Sequence, residues 1–450
     1  MATAPGAPAI CNPGKSLGFI ALGSSLHHIL GRLRTLNKVF TSISTIYEPG
    51  SPLGAPVIIL LSNNGIRLRF DGADQRLRLI EILDFQLCPL LYNSRDMVKT
   101  GPGCSGGPTF KSIYNKIFGP TYPGEYIASS SLYVLSYPGV AFSFPVKNWR
   151  DDIPFDQQLS APDASSAVSM AIFNGSSWAE ARDDLFTRPV AAPRIPHING
   201  PNARQSPAND EVESIKIHDS TLIEVLRRHN PSFWITLGST TPQDLIMELG
   251  PPDVIYRKSD HRLSIHRAGD GDEAAGASDP HSSSDDDHDA SGSAGAALGQ
   301  GDCFYNYFSL GFDVFLSASK SASHPVATKI IIHGNVPGSY LFQRYRRCRW
   351  VIQWPGMEEI HSEMEFGEAL ERLRKRFGGG QKPMPLSRGN DSPSSSCELL
   401  GGWEEGDMPV LKQIAGGVEM RDFGNTELYG FPGFIFEVLK NKSISCLTVF

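Results

Sequence analysis

Apolar residues fall at every second position in four short stretches, each led by a glycine. Gly65 precedes Ile66, Leu68 and Phe70; Gly139 precedes Val140, Phe142 and Phe144; Gly311 precedes Phe312, Val314 and Leu316; Gly433 precedes Phe434, Phe436 and Val438. Side chains alternate faces along a strand, so each stretch predicts a strand with one buried face. The third, over 307–316, reads as one strand entered through Gly311. Recurrence of one phrase along a chain points to internal repeats.

Elements predicted around these stretches recur in order. The first unit has a strand at 17–22 and a helix with Leu26, Ile29, Leu30 and Leu33 on one stripe, capped by Ser24 or Ser25. Extended segments follow at 39–47, 57–61, 66–70 and 77–83, with a turn at Asn63-Asn64-Gly65. The second has a helix over 110–118 stopped by Gly119-Pro120, a hairpin 132–137/140–146, and a strand at 167–173. In the third, a strand at 233–237 leads to Thr241-Pro242-Gln243-Asp244, a helix start with Thr as cap and Pro in the first turn. Its helix spans 242–249, and strands are expected at 254–257, 262–266 and 328–333 beside the glycine-led one. The fourth has a helix over 366–377, its glycine-led strand, and a strand over 443–450. Leu22-Gly23-Ser24-Ser25 and Leu237-Gly238-Ser239-Thr240 spell the same strand-to-helix turn.

The fold class is therefore α+β: four repeated helix-plus-antiparallel-strand units pairing into two halves. One unit has too little core to stand alone. The halves are placed at 16–174 and 211–450. Residues 1–15 are expected as a disordered N-terminus and 175–210 as a Pro-rich linker. Inserts at 268–302 and 379–417, poor in large apolar residues, are expected to be disordered.

Composition narrows the function. The 450 residues carry a net charge of −7, which does not suit a general nucleic-acid binder. No apolar run approaches the length of a membrane span, and the Ala- and Pro-rich start does not resemble a signal peptide. Seven scattered cysteines lack the spacing of a zinc or redox motif and fit a reduced, cytosolic compartment. No cofactor, metal or catalytic residue is expected.

Several motifs spell chemistry that their context does not support. Gly103-Cys104-Ser105-Gly106-Gly107 approximates a nucleophile elbow, which would make Ser105 a hydrolase serine. It lacks the preceding buried strand and the following helix. Asp285, Asp286, Asp287, His288 and Asp289 could meet a metal only after ordering their own segment, and Ser282 to Ser284 beside them suit an acid-directed kinase. The one cationic cluster is Arg344-Tyr345-Arg346-Arg347-Cys348-Arg349-Trp350. On a strand it would present guanidiniums on both faces. Arg344, Arg346, Arg347, Arg349 and Trp350 are thus candidate lipid- or partner-binding residues, against the plain alternative of a charged edge strand. The turn from Gly334 to Tyr340 reads as a join between units.

Several longer phrases resemble the phagophore (phagosome) assembly factor 1 family. They are Leu17-Gly18-Phe19; Asn64-Gly65-Ile66-Arg67-Leu68-Arg69-Phe70-Asp71 with Gln75-Arg76-Leu77; Phe118-Gly119-Pro120-Thr121-Tyr122-Pro123-Gly124-Glu125-Tyr126; Leu249-Gly250-Pro251-Pro252 with Tyr256-Arg257-Lys258; Asp302 to Asp313; and Asn335 to Tyr340. The resemblance implies a non-enzymatic eukaryotic adaptor in autophagy. It would be recruited from the cytoplasm to the phagophore assembly site with a β-propeller partner, and Golgi or endosomal traffic is a related role. Phosphoinositide membranes would be met directly or through that partner. The alternatives are a direct phosphoinositide-binding module using the 344–349 cluster and a serine hydrolase through Ser105. Arg347-Cys348 fits the family, whereas the flanking arginines and the two long inserts exceed its pattern.

Overall fold

A computed structural model of the protein describes residues 8–98, 106–161, 164–193, 210–257, 302–318, 324–379, 382–386 and 425–450. The described residues form four sheets, two of eight strands and two of five. Each eight-stranded sheet is built from two four-strand meanders. In the first half these are Ser44–Ile46, Val57–Leu61, Ile66–Phe70 and Leu77–Ile82, then Glu125–Ile127, Leu132–Tyr137, Val140–Pro145 and Ser169–Phe173. The last strands of the two meanders pair antiparallel, Phe173 opposite Leu79 and Met170 opposite Ile82. The second half repeats this with Val254–Arg257, Cys303–Tyr307, Phe312–Ala318 and Pro325–His333, then Met384–Leu386, Thr426–Phe431, Phe434–Leu439 and Ile444–Val449. Again the last strands join, His333 opposite Cys446 and Ile330 opposite Val449.

A helix precedes each meander: Leu26–Thr35, Phe110–Ser112 continued by a π-helical turn over Ile113–Ile117, Pro242–Leu249, and Phe366–Phe377. The third starts as its sequence predicts. Thr241 Oγ1 accepts from the Asp244 amide at 3.2 Å, and Asp244 Oδ2 accepts from the Thr241 amide at 2.9 Å. Ser25, not Ser24, caps the first helix. Short strands ahead of the helices make the five-stranded sheets. Their centres are parallel pairs, Ala9–Asn12 with Leu90–Tyr92 and Val212–Ile217 with Trp350–Ile352. Units one and two, and units three and four, are thus joined twice, once in each sheet.

The shared strand-to-helix turn makes the same bonds in both halves. Gly23 donates to the Leu77 carbonyl and Gly238 to the Ala327 carbonyl, each at 2.7 Å. All four glycines that lead the apolar stretches have positive φ and sit in the hairpin before the third meander strand. At Gly311 this changes the expectation. The stretch 307–316 is a hairpin: Tyr307 pairs with Phe312, and Phe308 to Gly311 turn between them. Residues 17–22 likewise fold as a tight hairpin, Ser16–Leu17 against Ile20–Ala21.

Alternation places one core in each half. Val57, Ile59, Leu61, Ile66, Leu68 and Phe70 face the first helix and its neighbours; Phe312, Val314, Leu316, Phe434, Phe436 and Val438 do so in the second half. The opposite face of the first large sheet carries Arg67 and Arg69, both bonded to Glu81 at 2.6 to 2.8 Å. Residues 175–193, expected as linker, carry the helix Trp178–Ala181. That segment buries Ala181 and Leu185 with Leu79, Val134, Ala141 and Phe173. The expected N-terminal disorder is corrected for residues 9–12, which pair as a strand. The 262–266 strand, Ser105, the acidic run 285–289, and the stretches 268–301, 380–381 and 387–417 of the two inserts lie outside the described residues.

Candidate functional site: the seam between the halves

The segment 334–349 leaves the third meander and crosses the first half before returning to the second small sheet. It begins with a polar ladder. Asn335 Nδ2 donates to Gln75 Oε1 at 2.7 Å, and Gln75 Nε2 donates to the Asn335 carbonyl at 2.8 Å. Asn335 Oδ1 accepts from the Gln343 amide at 2.7 Å, and Gln343 Nε2 donates to Thr45 Oγ1 at 2.9 Å. Arg34 of the first helix donates to Gln343 Oε1. Gln75, Asn335 and Gln343 all have positive φ, a region open to Asn at modest cost and less so to Gln. Between these rungs Phe342 enters the first half's core and meets Tyr47 edge to face, ring centroids 6.0 Å apart.

The cationic cluster follows on the same segment. It is not a strand; only Trp350 begins one, so the expected alternation of guanidiniums across two faces is replaced by irregular backbone. Arg344 lies over the Phe308 ring, 5.3 Å from its centroid. Arg346 and Arg347 are buried. Arg347 donates to the Ala73 carbonyl of the first half and the Gly334 carbonyl of its own segment, with Glu363 3.4 Å away. Arg349, still partly exposed, bridges Asp74 at 2.8 Å and Glu363 at 2.7 Å. Trp350 is in the core. Burial disfavours the charged form of Arg347, and Glu363 opposes that effect. Burial alone would raise the Glu363 carboxyl, but the charges of Arg347 and Arg349 hold it below the usual range. In this conformation the cluster ties the two halves to each other, and its buried members do not face a membrane.

A second polar group anchors the segment from below. Asp313, on the face of its strand opposite Phe312 and Val314, is fully buried. Its Oδ2 accepts from the Tyr345 hydroxyl at 2.8 Å and stands 2.9 Å from His333 Nε2. The Tyr345 and His333 rings stack with centroids 3.7 Å apart, and Cys446 Sγ is 3.9 Å from His333 Nδ1. Burial, then the Asp313 charge, push the Tyr345 hydroxyl well above its ordinary value. Thiol, imidazole and carboxylate follow each other as in a nucleophilic triad. All three are buried, and the Asp313 carboxylate holds both Tyr345 and His333, so the group anchors the segment. Asp313 has no acidic counterpart in the other units, where Arg67, Ala141 and Ile435 stand at the matching position. The signal that could have found the group was the pairing of Asp313 with His333 on adjacent strands.

Among the described residues no cluster of His, Cys, Asp and Glu could hold a metal, and no helix is long and apolar enough to cross a membrane. The described polar chemistry is thus concentrated in joining two copies of one α+β architecture, which defines the chain as a duplicated α+β protein. It belongs to the phagosome assembly factor 1 family, whose model matches residues 16–282 and 276–450. A PHAF1 protein of Arabidopsis thaliana is 27% identical over 97% of this chain and 92% of its own length. PHAF1 proteins of Drosophila melanogaster and Caenorhabditis elegans are each 24% identical over 95% of this chain and 90% of theirs. No solved structure matches.

Proposed function

We propose that the protein is a non-enzymatic adaptor in phagosome assembly that acts with a β-propeller partner at sites of autophagosome formation. Membership of the phagosome assembly factor family is the observation that carries this reading. Its architecture supports it: the seam holds the two halves in one frame, and among the described residues each large sheet ends in edge strands. Among the described residues, the edge strand Val254–Arg257 pairs with Cys303–Tyr307. Val254 and Ile255 are exposed on it, as are Ile246 and Met247 of the helix just before it. An open edge with apolar side chains accepts an extended segment by strand addition.

Affinity purification of the tagged full chain from eukaryotic cells tests this. A β-propeller protein should be recovered in stoichiometric amount, and Ile255→Lys should remove it while the chain stays folded. Recovery of no β-propeller protein would refute the adaptor reading. Its undiminished recovery with Ile255→Lys would move the interface elsewhere.

A further inference from the structure

One corner of the seam holds more positive charge than its carboxylates balance. Arg76, Arg228 and Arg346 converge on Glu211. Arg76 takes that carboxylate at both oxygens, 3.0 and 2.8 Å. Arg228 Nε and Arg346 Nη2 are left 3.7 and 3.8 Å from Glu211 Oε2, outside hydrogen-bonding distance. Glu213 adds a second carboxylate 3.5 Å from Arg228 Nε. Arg346 is 7% exposed, and its Nη1 is enclosed with no acceptor; Arg228 Nε is enclosed and lacks a hydrogen bond as well. Burial disfavours the Arg346 charge, with Glu211 opposing it. Burial would raise the Glu211 carboxyl, but the Arg76 hydrogen bond and the three arginine charges leave it lowered. The surplus reaches the first helix. Burial, with Arg34 and Arg346 adding to it against Asp253, pushes the His27 imidazole down to about 4.

A water could accept from one enclosed N–H but would not offset three guanidiniums set against two carboxylates. A buried guanidinium without a counter-charge is costly, and its planar fork matches the oxygens of a phosphate. The corner also opens outward. The side chains of Glu211 and Arg228 keep 28% and 22% of their exposure, while that of Arg346 keeps 8%. Arg76 belongs to the first half, Arg228 to the second, and Arg346 to the crossing segment.

We propose that Arg76, Arg228 and Arg346 form a binding site for a small soluble phosphate-class oxyanion, which bridges Arg228 Nε and Arg346 Nη1 and clamps the two halves. Phosphate on a lipid headgroup has the same chemistry, but a bilayer cannot bring it to so enclosed a group. A free ion can enter beside Arg228.

The test uses the full chain in chloride buffer, titrated with inorganic phosphate by calorimetry and by thermal unfolding, with chloride at matched ionic strength as control. Single-site saturation and a rise in Tm that chloride does not reproduce are expected. Arg228→Gln, at a partly exposed position, should fold and weaken phosphate at least tenfold. Arg346→Lys, which keeps the charge without the fork, should do the same. Absence of saturable phosphate binding would overturn the proposal, and so would wild-type affinity in Arg228→Gln. Phosphatidylcholine vesicles containing a phosphatidylinositol monophosphate should not retain the protein. Retention that free phosphate competes away would overturn the assignment to a soluble ion.

Discussion

If the amide ladder holds the halves in register, Asn335 should be among the most sensitive polar positions in the chain. Asn335→Ala removes the donor to Gln75 Oε1 and the acceptor for the Gln343 amide, while the bond from Gln75 Nε2 to the residue 335 carbonyl can persist. Each buried group left without a partner costs about 1–3 kcal/mol, so the two together cost about 2–6 kcal/mol. Residue 335 also has φ +46°, where alanine adds ~1 kcal/mol that glycine does not. Domains of ordinary stability have ~5–15 kcal/mol in total, so the effect is large enough to separate the halves. The assay is urea unfolding followed by two probes, hydrogen exchange at the strands of the first half and, separately, at those of the second. Wild type should unfold in coincident transitions, Asn335→Ala in separated ones, and Asn335→Gly should lie between. A double-mutant cycle with Gln75→Ala should return a coupling of about 0.5–1.5 kcal/mol for the single side-chain bond the two share. Refutation would be Asn335→Ala within about 0.5 kcal/mol of wild type, the ordinary range for a surface change.

Three further outcomes follow from the same frame. Gly311 has φ +92°, and a Cβ there would lie 2.8 Å from that of Cys348, so Gly311→Ala should cost roughly 2–4 kcal/mol by denaturant titration; Gly18→Ala, with φ +56° and open space, should cost only ~1 kcal/mol. Thr241→Ala should lose about 1 kcal/mol by removing the cap of the third helix, and Thr241→Ser should restore most of it. His27 is held neutral, its value lowered to about 4 from 6.5, so its contribution is complete above pH 6.5 and is lost as pH falls toward 4. That contribution is at most roughly 3 kcal/mol, and His27→Gln should flatten the pH dependence of Tm between those limits, an unchanged slope counting against the burial of that imidazole.

What could be read from the sequence was whatever local chemistry decides. The alternation after Gly65, Gly139, Gly311 and Gly433 gave true strands because one face of each is core. Thr241-Pro242-Gln243-Asp244 gave a helix start at the right residue because all its partners lie within one turn. The strands Ala9–Asn12 and Leu90–Tyr92 were not legible. They are short, their alternation is incomplete, and each is a strand only because the other lies beside it. The cationic cluster misled for a related reason. Charge in sequence suggests solvent, and nothing local reveals that Ala73, Asp74 and Glu363 stand ready to receive Arg347 and Arg349. Gln75 and the turn from Asn335 were both visible as phrases shared with a family, yet no rule of spacing said that one bonds the other.

The comparison between halves locates what is special in this chain. In the first half, residues 83–89 carry the chain from the first meander to the next small-sheet strand. At the matching place in the second half, residues 334–349 do so, and this connection is more than twice as long. A shorter link would close the second half as it closes the first. The added length is used to cross over, insert Phe342 into the other core, and place Asn335, Gln343, Arg346 and Arg347 against the first half. An apolar contact of the same size would hold the halves as tightly but over many alternative registers. Buried amides and guanidiniums tolerate one, because each misplaced rung leaves a group unpaired. The duplication therefore supplies two similar frames, and the crossing segment fixes their relative placement through these bonds.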